Sequence, residues 1–234
     1  MMHKIAFISS VYFAAVMAPA GAAPFAVTSQ IVAAEILPAP PVAGSTAEKA
    51  DLAEVARVQA AAGTGRQAVA GADGKTKSVA AFAGVMGPGF DLARLPATAK
   101  LFDDIRDTEV AIVDSGKGYF KRPRPWVVDA ALKPCSRNDE PLTSYPSGHT
   151  TMAYSMGVVL ARLVPQKADA ILARAADYAE NRVICAVHYR SDIIAGQALG
   201  TAIAVRLFAD PTFEQEFAAA KAELIAASLG AEGH

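Results

Sequence analysis

Apolar residues recur every three to four positions along much of this chain, a spacing that places them on one face of an α-helix. Behind the potential cap residues Ser45 and Thr46, for example, Leu52, Val55 and Ala60 show this spacing. No segment alternates apolar and polar residues between hairpin turns, as a strand would. The pattern predicts an all-α protein with helices that begin at Thr46, span 97–113, 150–164, 166–182 and 192–208, and begin again at Pro211.

Glycine and proline mark the ends of several of these helices. Residues 63–77 are rich in glycine and polar residues, so we expect the first helix to end near Gly63 or to be interrupted by a loop there. The sequence Gly87-Pro88-Gly89 predicts a second break, and Pro165 ends the helix over 150–164 because proline lacks the backbone donor that a helix needs.

The segment 192–208 has no charged residue between Asp192 and Arg206, which permits two interpretations. A transmembrane helix is one, but the stretch is shorter than a bilayer requires and contains Gly196 and Gly200. We favour the other interpretation, a helix buried at the centre of the domain.

The N-terminus resembles a secretory signal peptide. A short cationic start that ends at Lys4 precedes an apolar run over 5–17, and small residues follow up to the expected cleavage point after Ala22 or Ala23. The run is too short to span a bilayer, although an uncleaved membrane anchor is the alternative. We therefore predict a leader over 1–22 and a periplasmic or secreted protein.

Residues 23–45 differ in composition from the rest of the chain. They are mostly small and apolar, and they contain the proline cluster 37–41, which excludes a regular helix there. We predict an extended, proline-containing arm over 23–45, followed by one all-helical domain over 46–234. The 234 residues, 53% of them hydrophobic, suit a single globular domain with a buried core.

Charge narrows the range of partners. The formal net charge is -1, from 22 basic and 23 acidic residues. Because basic and acidic residues are nearly equal in number, the composition predicts neither a nucleic-acid-binding surface nor a polybasic patch that binds membranes. We expect no nucleic-acid partner and no stable membrane association after the leader is removed; the composition leaves the oligomeric state open, a homo-oligomer included.

The two cysteines, Cys135 and Cys185, are an even pair in a chain predicted to be exported. Because disulfides form and persist in oxidising compartments, we expect a bridge between them. A bridge that closes so long a loop would stabilise the fold by about 4 kcal/mol in the chain-entropy model. Two buried free thiols are the alternative.

Two histidines, His149 and His188, lie inside the mature domain, because His3 is in the leader and His234 is the last residue. A single such histidine is usually a structural residue. His149, however, follows Ser147-Gly148 at the start of an apolar helix, where a hydroxyl, a closely approaching backbone and free amides favour an anion. An ordinary helix-capping turn would explain the serine but not the histidine beside it.

The surroundings of His188 also suit an anion site. On one ideal helix Arg182 and His188 would point roughly 120° apart, so we expect the helix to end between them. Three β-branched residues weaken the helix there: Val183, Ile184 and Val187. His188 then lies on the connecting turn, with Asp192 in the first turn of the next helix. Its carboxylate could hold the imidazole in one tautomer and stabilise the charge formed on attack at phosphorus. The alternative is a capping aspartate beside a packed histidine.

A third candidate is the basic stretch 117–125. Pro123 and Pro125 restrict the backbone around Arg124, whose guanidinium can grip two phosphate oxygens while Lys117 adds a point charge. A solvated basic loop would look the same, so this stretch is weak evidence by itself.

Taken in order, Lys117-x6-Arg124-Pro125, Pro146-Ser147-Gly148-His149 and Arg182-x5-His188-x3-Asp192 closely resemble the three-part signature of the phosphatidic acid phosphatase type 2 superfamily. That superfamily also contains the vanadium haloperoxidases. The leader, the chain length and the sequence 182–185 are similar to those of class A bacterial non-specific acid phosphatases.

The resemblance implies an all-α fold with a helical-bundle core and a metal-independent acid phosphatase without a cofactor, acting on small phosphate monoesters through a phosphohistidine. His188 would be the nucleophile, Asp192 would orient it, and His149 would protonate the leaving alcohol. The phosphoryl oxygens would be held by Lys117, Arg124, Ser147, Gly148 and Arg182.

Some residues fall outside the signature. The family commonly has serine where this chain has Asn181. Because an amide still forms hydrogen bonds, this departure puts fine tuning in question rather than activity, and the sequence does not identify its effect. Lys121, Arg122 and Arg190 are not part of the signature, and we interpret them as solvated or rim charges.

Other functions share parts of this pattern. A vanadate-dependent haloperoxidase or a lipid phosphatase would use the same motifs, although haloperoxidases are generally longer and lipid phosphatases carry several membrane spans. A non-enzymatic periplasmic anion-binding module would have no need for two histidines on separate motifs. A phosphotransferase side activity is compatible with the same intermediate, and the sequence does not identify the leaving group.

Overall fold

The computed structural model describes residues 25–137 and 140–230, and within them the protein is all-α, as predicted. The predicted leader over 1–22 lies outside the described residues. The α-helices are α1 (Val27–Gln30), α2 (Ala33–Ile36), α3 (Thr46–Ala61), α4 (Thr64–Asp73), α5 (Ala83–Met86), α6 (Pro96–Phe120), α7 (Pro125–Val128), α8 (Gly148–Leu163), α9 (Ala168–Ile184), α10 (Arg190–Leu207) and α11 (Pro211–Ala226). Short 3-10 turns lie at Val79–Phe82, Leu92–Arg94 and Pro165–Lys167.

α8 is the central helix of the bundle. It packs against α9 and α10, and it also contacts α6 and α11. Its buried residues occur on every side of the helix, because neighbours surround it. The interpretation of 192–208 as a buried central helix rather than a membrane span is correct in part. α10 buries nine residues, mainly on the side that faces α8, but Ile194 and Val205 on its other side are 59% and 62% exposed, and α8 rather than α10 lies at the centre.

α8 and α10 approach closely because α10 carries glycines at the contact. A Cβ added at Gly196 would lie 2.7 Å from the backbone oxygen of Ser147 and 2.9 Å from Cβ of Thr150. At Gly200 the nearest atoms are backbone atoms of α8, including the oxygen of Thr151. The start of α8 therefore lies directly against the first half of α10.

The segment predicted as an extended arm is instead part of the core. It contains α1 and α2, and Phe25 packs edge-to-face on Phe213 of α11 with ring centroids 5.6 Å apart. Asp210 Oδ2 accepts the backbone N–H of Ala26 at 2.9 Å, and Pro38 accepts a hydrogen bond from Tyr145. Small apolar residues suit this packing, whereas the proline cluster does remain free of helix, as expected.

Two further boundaries differ from the sequence-based expectation. The first long helix ends at Ala61, near Gly63, but a second helix, α4, follows at once where a loop was expected. α4 packs against α9, and Ala70 is fully buried at that contact. α6 continues to Phe120, and it ends where Lys121 adopts a left-handed conformation with φ 47°.

Among the described residues, no individual helix has the length and apolarity needed to cross a bilayer. α10 and α11 reach that threshold only as a pair, and they meet at a bend of 91°.

Candidate functional site

A cavity of about 310 Å³ is lined by α6, by the start of α8 and by the loop between α9 and α10. α6 contributes side chains three or four residues apart, from Arg106 to Lys117, so one face of the helix forms a wall. Six of the predicted site residues line this cavity: Lys117, Arg124, Gly148, His149, Arg182 and His188. The other two, Ser147 and Asp192, are fully buried and are not among the lining residues.

His188 lies on the loop between α9 and α10, where the sequence placed it. α9 ends at Ile184, and the chain turns at Ala186, which has φ 49°. His188 is only 2% exposed, although it lines the cavity. Asp192 is in the first turn of α10, where its Oδ2 accepts the backbone N–H of Tyr189 at 2.9 Å. Asp192 therefore caps its own helix with the same carboxylate that faces His188.

Two contacts determine the tautomer of His188. Nδ1 lies 3.3 Å from Asp192 Oδ2, and Nε2 lies 3.3 Å from Nη1 of Arg124. A guanidinium only donates hydrogen bonds and a carboxylate only accepts them, so the proton belongs on Nδ1 and Nε2 keeps its lone pair. Nε2 is thus the nitrogen whose lone pair could act as a nucleophile once Arg124 donates to a bound anion instead.

The electrostatic environment keeps His188 neutral. Burial lowers the pKa of His188 well below its usual value of 6.5, and the charges of Arg124, Lys117 and Arg182 lower it further. Burial also raises the pKa of the Asp192 carboxyl group, while Arg122 acts in the opposite direction. A neutral imidazole is the form that a nucleophilic histidine needs.

Lys117, Arg124 and Arg182 form a cluster of cations around the cavity, which we call the cation cluster. Burial lowers the pKa of Lys117, and the charge of Arg124 adds to that effect. Arg124 is fixed by hydrogen bonds to the Val187 carbonyl at 3.0 Å and to Thr143 Oγ1 at 3.1 Å. Because these cations are crowded and desolvated, binding an anion would relieve their repulsion.

Arg182 is the most buried member of the cation cluster, with 3% exposure. It donates a hydrogen bond to the carbonyl of Ala70, while its Nε has no hydrogen-bond partner among the described residues. The backbone at Gly148 also approaches the cluster closely, since a Cβ there would lie 3.5 Å from Lys117 Nζ. Three cations and a helix N-terminus around one cavity make a site for a tetrahedral oxyanion.

His149 lies in the first turn of α8 and is half-buried. Its Nε2 lies 3.1 Å from the carbonyl oxygen of Gly74, and its ring stacks on Tyr178 with centroids 6.0 Å apart. A carbonyl only accepts, so Nε2 carries a proton and Nδ1 is the nitrogen left to take up a second one. Burial lowers the pKa of His149 well below 6.5, and the charge of Arg182 contributes.

Ser147 caps the N-terminus of α8, a position that its place in the sequence motif also indicated. It is the N-cap of α8, where its Oγ accepts hydrogen bonds from the backbone N–H and the hydroxyl of Thr150, the latter at 3.0 Å. Its backbone N–H donates to the Asp192 carbonyl at 3.2 Å. Ser147 thus joins the two halves of the site, and its predicted contact with phosphate stays a prediction.

Arg122 was expected to be a solvated charge, and that expectation is wrong. Its guanidinium is 3% exposed and donates to Asp192 Oδ1 at 2.6 Å, to Ser191 Oγ at 2.6 Å and to Asp51 Oδ2 at 3.0 Å. Residues two apart on extended backbone share a face, so the spacing between Arg122 and Arg124 could have indicated that Arg122 lies near the site. Asp51, on α3, had no such signal in the sequence.

The other two residues interpreted as rim charges agree better with expectation. Lys121 is exposed, and Arg190 is partly exposed, where it pairs with Glu54 and Glu180. Neither lines the cavity.

A second buried network supports the loop that carries Gly74, and sequence reasoning missed it. Asp73 accepts two hydrogen bonds from Arg174, at 2.8 and 2.7 Å, and one from Asn181 at 2.6 Å. These bonds outweigh the effect of burial and lower the pKa of Asp73. Asn181 therefore stabilises the carboxylate next to the Gly74 carbonyl that His149 contacts.

Cys135 and Cys185 form a disulfide, as predicted, across a sequence separation of 50 residues. Cys185 is the C-cap of α9, three residues before His188, and the Cys135 backbone N–H donates to its carbonyl at 3.1 Å. The bridge ties the end of α9, where the loop that carries His188 begins, to the segment that precedes α8. Over residues 25–137 and 140–230, no three or more His, Cys, Asp and Glu side chains are grouped in a way that could hold a metal ion.

Residues 108–215 match the model of the PAP2 superfamily, a range that includes all three motifs. The chain is 30% identical over 195 residues to a non-specific acid phosphatase of Providencia stuartii, which covers 80% of this chain and 79% of that protein. It is 33% identical over 147 residues to an acid phosphatase of Zymomonas mobilis subsp. mobilis, which covers 61% of this chain and 55% of that protein. The alignment therefore spans about half of the second relative's length.

A solved structure, the first transmembrane PAP2 type phosphatidylglycerolphosphate phosphatase from Bacillus subtilis, matches with a TM-score of 0.49 and 19% sequence identity. The match covers 74% of this chain and 87% of that chain.

Proposed function

The chain belongs to the PAP2 superfamily and, within it, to the bacterial non-specific acid phosphatases, and we propose that it hydrolyses small phosphate monoesters through a phosphohistidine at His188 without a metal ion. The observation that carries this proposal is the state of His188. Its Nε2 keeps a lone pair because Nδ1 faces Asp192, and the residue lines a cavity that also contains the cation cluster and His149.

Substrate binding uses the charge of the cation cluster. The phosphate group of the monoester carries close to two negative charges at neutral pH, and Lys117, Arg124 and Arg182 supply three positive charges. The amide groups at the start of α8, beginning with Gly148, add donors from the positive end of the helix dipole. These donors also face the oxygens that gain charge when phosphorus becomes five-coordinate.

In the first step Nε2 of His188 attacks phosphorus, and the bond from phosphorus to the ester oxygen breaks. The alkoxide takes a proton from the imidazolium of His149 and leaves as the alcohol. The Nδ1 proton of His188 stays on Nδ1, where Asp192 stabilises the positive charge that the phosphorylated ring acquires.

In the second step water attacks the phosphohistidine. His149, now neutral, removes a proton from that water, and the bond between phosphorus and Nε2 of His188 breaks. Inorganic phosphate leaves, His188 regains its lone pair and His149 is again protonated. An alcohol in place of water would give a phosphotransferase side reaction by the same route.

The opposite protonation states of the two histidines define the pH dependence. His188 must be neutral, and burial together with the cation cluster lowers its pKa, so it remains neutral into the acid range. His149 must be protonated, yet its pKa is also lowered well below 6.5. A bound phosphate neutralises part of the charge of Arg182 and favours protonation of His149. We therefore expect an optimum on the acid side of neutrality, whose alkaline limb reports His149 in the complex.

The test is acid-quenched labelling with a substrate that carries radioactive phosphate. Wild type and a His234→Ala control should retain label, and His188→Ala should neither turn over nor retain it. His149→Asn should still label with nitrophenyl phosphate, whose leaving group needs little protonation, and should lose far more activity on alkyl phosphates. Equal label on wild type and His188→Ala would assign the nucleophile elsewhere.

We also propose that the protein acts outside the cytoplasm. The disulfide between Cys135 and Cys185 supports this, because such bonds persist in oxidising compartments. The signal-like sequence of residues 1–22 supports it independently. Fractionation of cells that express the full chain tests the proposal, and active, oxidised enzyme confined to the cytoplasm would contradict it.

A further inference from the structure

Asp192 divides its two carboxylate oxygens between different partners. Oδ2 faces His188 Nδ1 at 3.3 Å and accepts the Ser144 hydroxyl at 2.6 Å, whereas Oδ1 accepts Nη1 of Arg122 at 2.6 Å. Asp192 is fully buried. A carboxylate taken out of water needs a paired cation to remain charged, and Arg122 is in position to supply it.

Arg122 is itself held on several sides. Nη2 donates to Asp51 Oδ2 at 3.0 Å, and Nη1 also donates to Ser191 Oγ at 2.6 Å. The guanidinium carbon lies 3.8 Å from the centre of the Tyr189 ring. Ser191 in turn donates to the Asp51 carboxylate. The guanidinium is therefore fixed between a carboxylate of α3 and a carboxylate of α10.

We propose that Arg122 is a positioning residue for catalysis: it keeps the Asp192 carboxylate charged and aligned with His188, and Asp51 moderates how strongly Arg122 acts on Asp192. Neither Arg122 nor Asp51 lines the cavity, so both act through Asp192 rather than on the substrate. The inference deepens the proposed function and rests on His188 being the nucleophile.

The titratable and charged groups around the coupled Asp192–His188 pair lie on several elements, and those nearest His188 include Lys117 on α6 and Arg182 on α9. Arg122 and Arg124 approach from the segment after α6, Asp51 from α3, and His188 and Tyr189 from the loop before α10. The phenol of Tyr145 also lies within electrostatic reach of Asp192. Among these groups Arg122 exerts the largest effect that lowers the pKa of Asp192, against the opposing effect of burial. Without Arg122, the effect of burial, which raises the pKa of Asp192, would lose its main opposing effect.

The two members of the pair should act with opposite sign. Loss of the positive charge at Arg122 raises the pKa of the coupled Asp192–His188 pair, because a nearby cation no longer opposes protonation of the carboxylate or of the imidazole. Loss of the negative charge at Asp51 lowers the pKa of the same pair, because Arg122 then acts on Asp192 without a competing carboxylate. A general loosening of the structure would not produce shifts in opposite directions.

The experiment measures kcat/KM for nitrophenyl phosphate as a function of pH. In Arg122→Met the acid limb should move to higher pH by about one to three units, the range for an opposite charge within about 4–6 Å. In Asp51→Asn the limb should move to lower pH by a smaller amount. Arg122→Lys keeps the charge but not the forked geometry, so its limb should stay near that of wild type while kcat falls.

The matched control is Glu54→Gln. Glu54 lies on α3 one turn from Asp51, and it accepts a hydrogen bond from Arg190 at the start of α10 at 2.8 Å without contacting Asp192. Its removal should leave the acid limb in place. Circular dichroism and vanadate binding on each variant show that the site is folded, and Asp51→Asn and Arg122→Lys supply the test if Arg122→Met does not fold.

Two results would overturn the inference: an acid limb that moves in the same direction in Arg122→Met and Asp51→Asn, or one that does not move in either. Acid-quenched labelling of wild type separates this failure from failure of the proposed function. If wild type retains phosphate on His188 and the limbs do not move as described, only the positioning role is wrong.

Discussion

The close contact between α8 and α10 depends on Gly196, and replacing it with alanine provides a direct measure of that contact. The added Cβ would lie 2.7 Å from the Ser147 carbonyl oxygen and 2.9 Å from Cβ of Thr150. Optimal separations between such atoms are about 3.5–4.0 Å. The helices would have to separate by a large part of an ångström, at the point where Ser147 N–H bonds to the Asp192 carbonyl.

The magnitude follows from two opposing effects. Overpacking a well-packed interior typically costs about 1–3 kcal/mol, and the upper half of that range applies because a backbone atom of α8 stands in the way. Alanine is favoured over glycine inside a helix by about 1 kcal/mol. We therefore expect Gly196→Ala to lower the free energy of unfolding by about 1–2 kcal/mol, which corresponds to roughly 2–8 °C in melting temperature for a domain of this size.

Gly118 provides the matched control. It lies near the end of α6, and a Cβ added there would have no atom within 4 Å. Gly118→Ala should therefore stabilise the protein by about 0.5–1 kcal/mol. Gly200→Ala, one turn further along α10, should destabilise at least as much as Gly196→Ala but reduce activity less, because it lies further from Ser147 and Asp192.

Urea titration followed by circular dichroism gives the free energies, and phosphatase assays well below the melting temperature give the activities. If Gly196→Ala were as stable as wild type, the proposed tight contact would be absent. If Gly196→Ala were destabilised but fully active, the contact would stabilise the fold without aligning the two halves of the site.

Three further predictions concern the bridge, metals and pH. Reduction of the Cys135–Cys185 disulfide should lower the free energy of unfolding by about 4 kcal/mol, and no thiol should react in the denatured protein before reduction; two thiols titrated without reductant would contradict the bridge. Chelators should leave activity intact and vanadate should inhibit by mimicking five-coordinate phosphorus, whereas activity lost to a chelator and restored by a divalent ion would refute metal-independent catalysis. The free energy of unfolding should fall as pH is lowered from about 7 to about 5, because His149 and His188 have pKa values well below 6.5 when folded and the unfolded chain binds protons first. His188→Asn should weaken that dependence, and an unchanged slope would show that its burial is not the cause.

The sequence was most informative where apolar spacing and a chemical motif coincide. The helical spacing behind Ser45 located α3, and the β-branched residues before His188 located the end of α9. Prolines and helix caps gave boundaries because they act through their immediate neighbours.

Interactions between distant segments could not be read from the sequence in the same way. Asp51 contributes to the Asp192 network across 140 positions, and a surface aspartate on a helix has the same local pattern as this buried one. Arg122 was misinterpreted because a charged residue is exposed by default, and only its buried partners reverse that default. The segment 25–44 was misinterpreted because proline excludes helix at its own position but does not prevent apolar neighbours from packing into a core.

The docking of the N-terminal segment limits where the proposed removal of a leader could take place. Phe25 fills a position against Phe213, and Ala26 donates to the same Asp210 carboxylate whose other oxygen caps α11. A leader peptidase that cut after Ala22 or Ala23 would leave these contacts intact, whereas a cut only a few residues later would remove them. If the leader is removed as proposed, an error in processing would preserve these contacts only where it left extra residues ahead of Phe25.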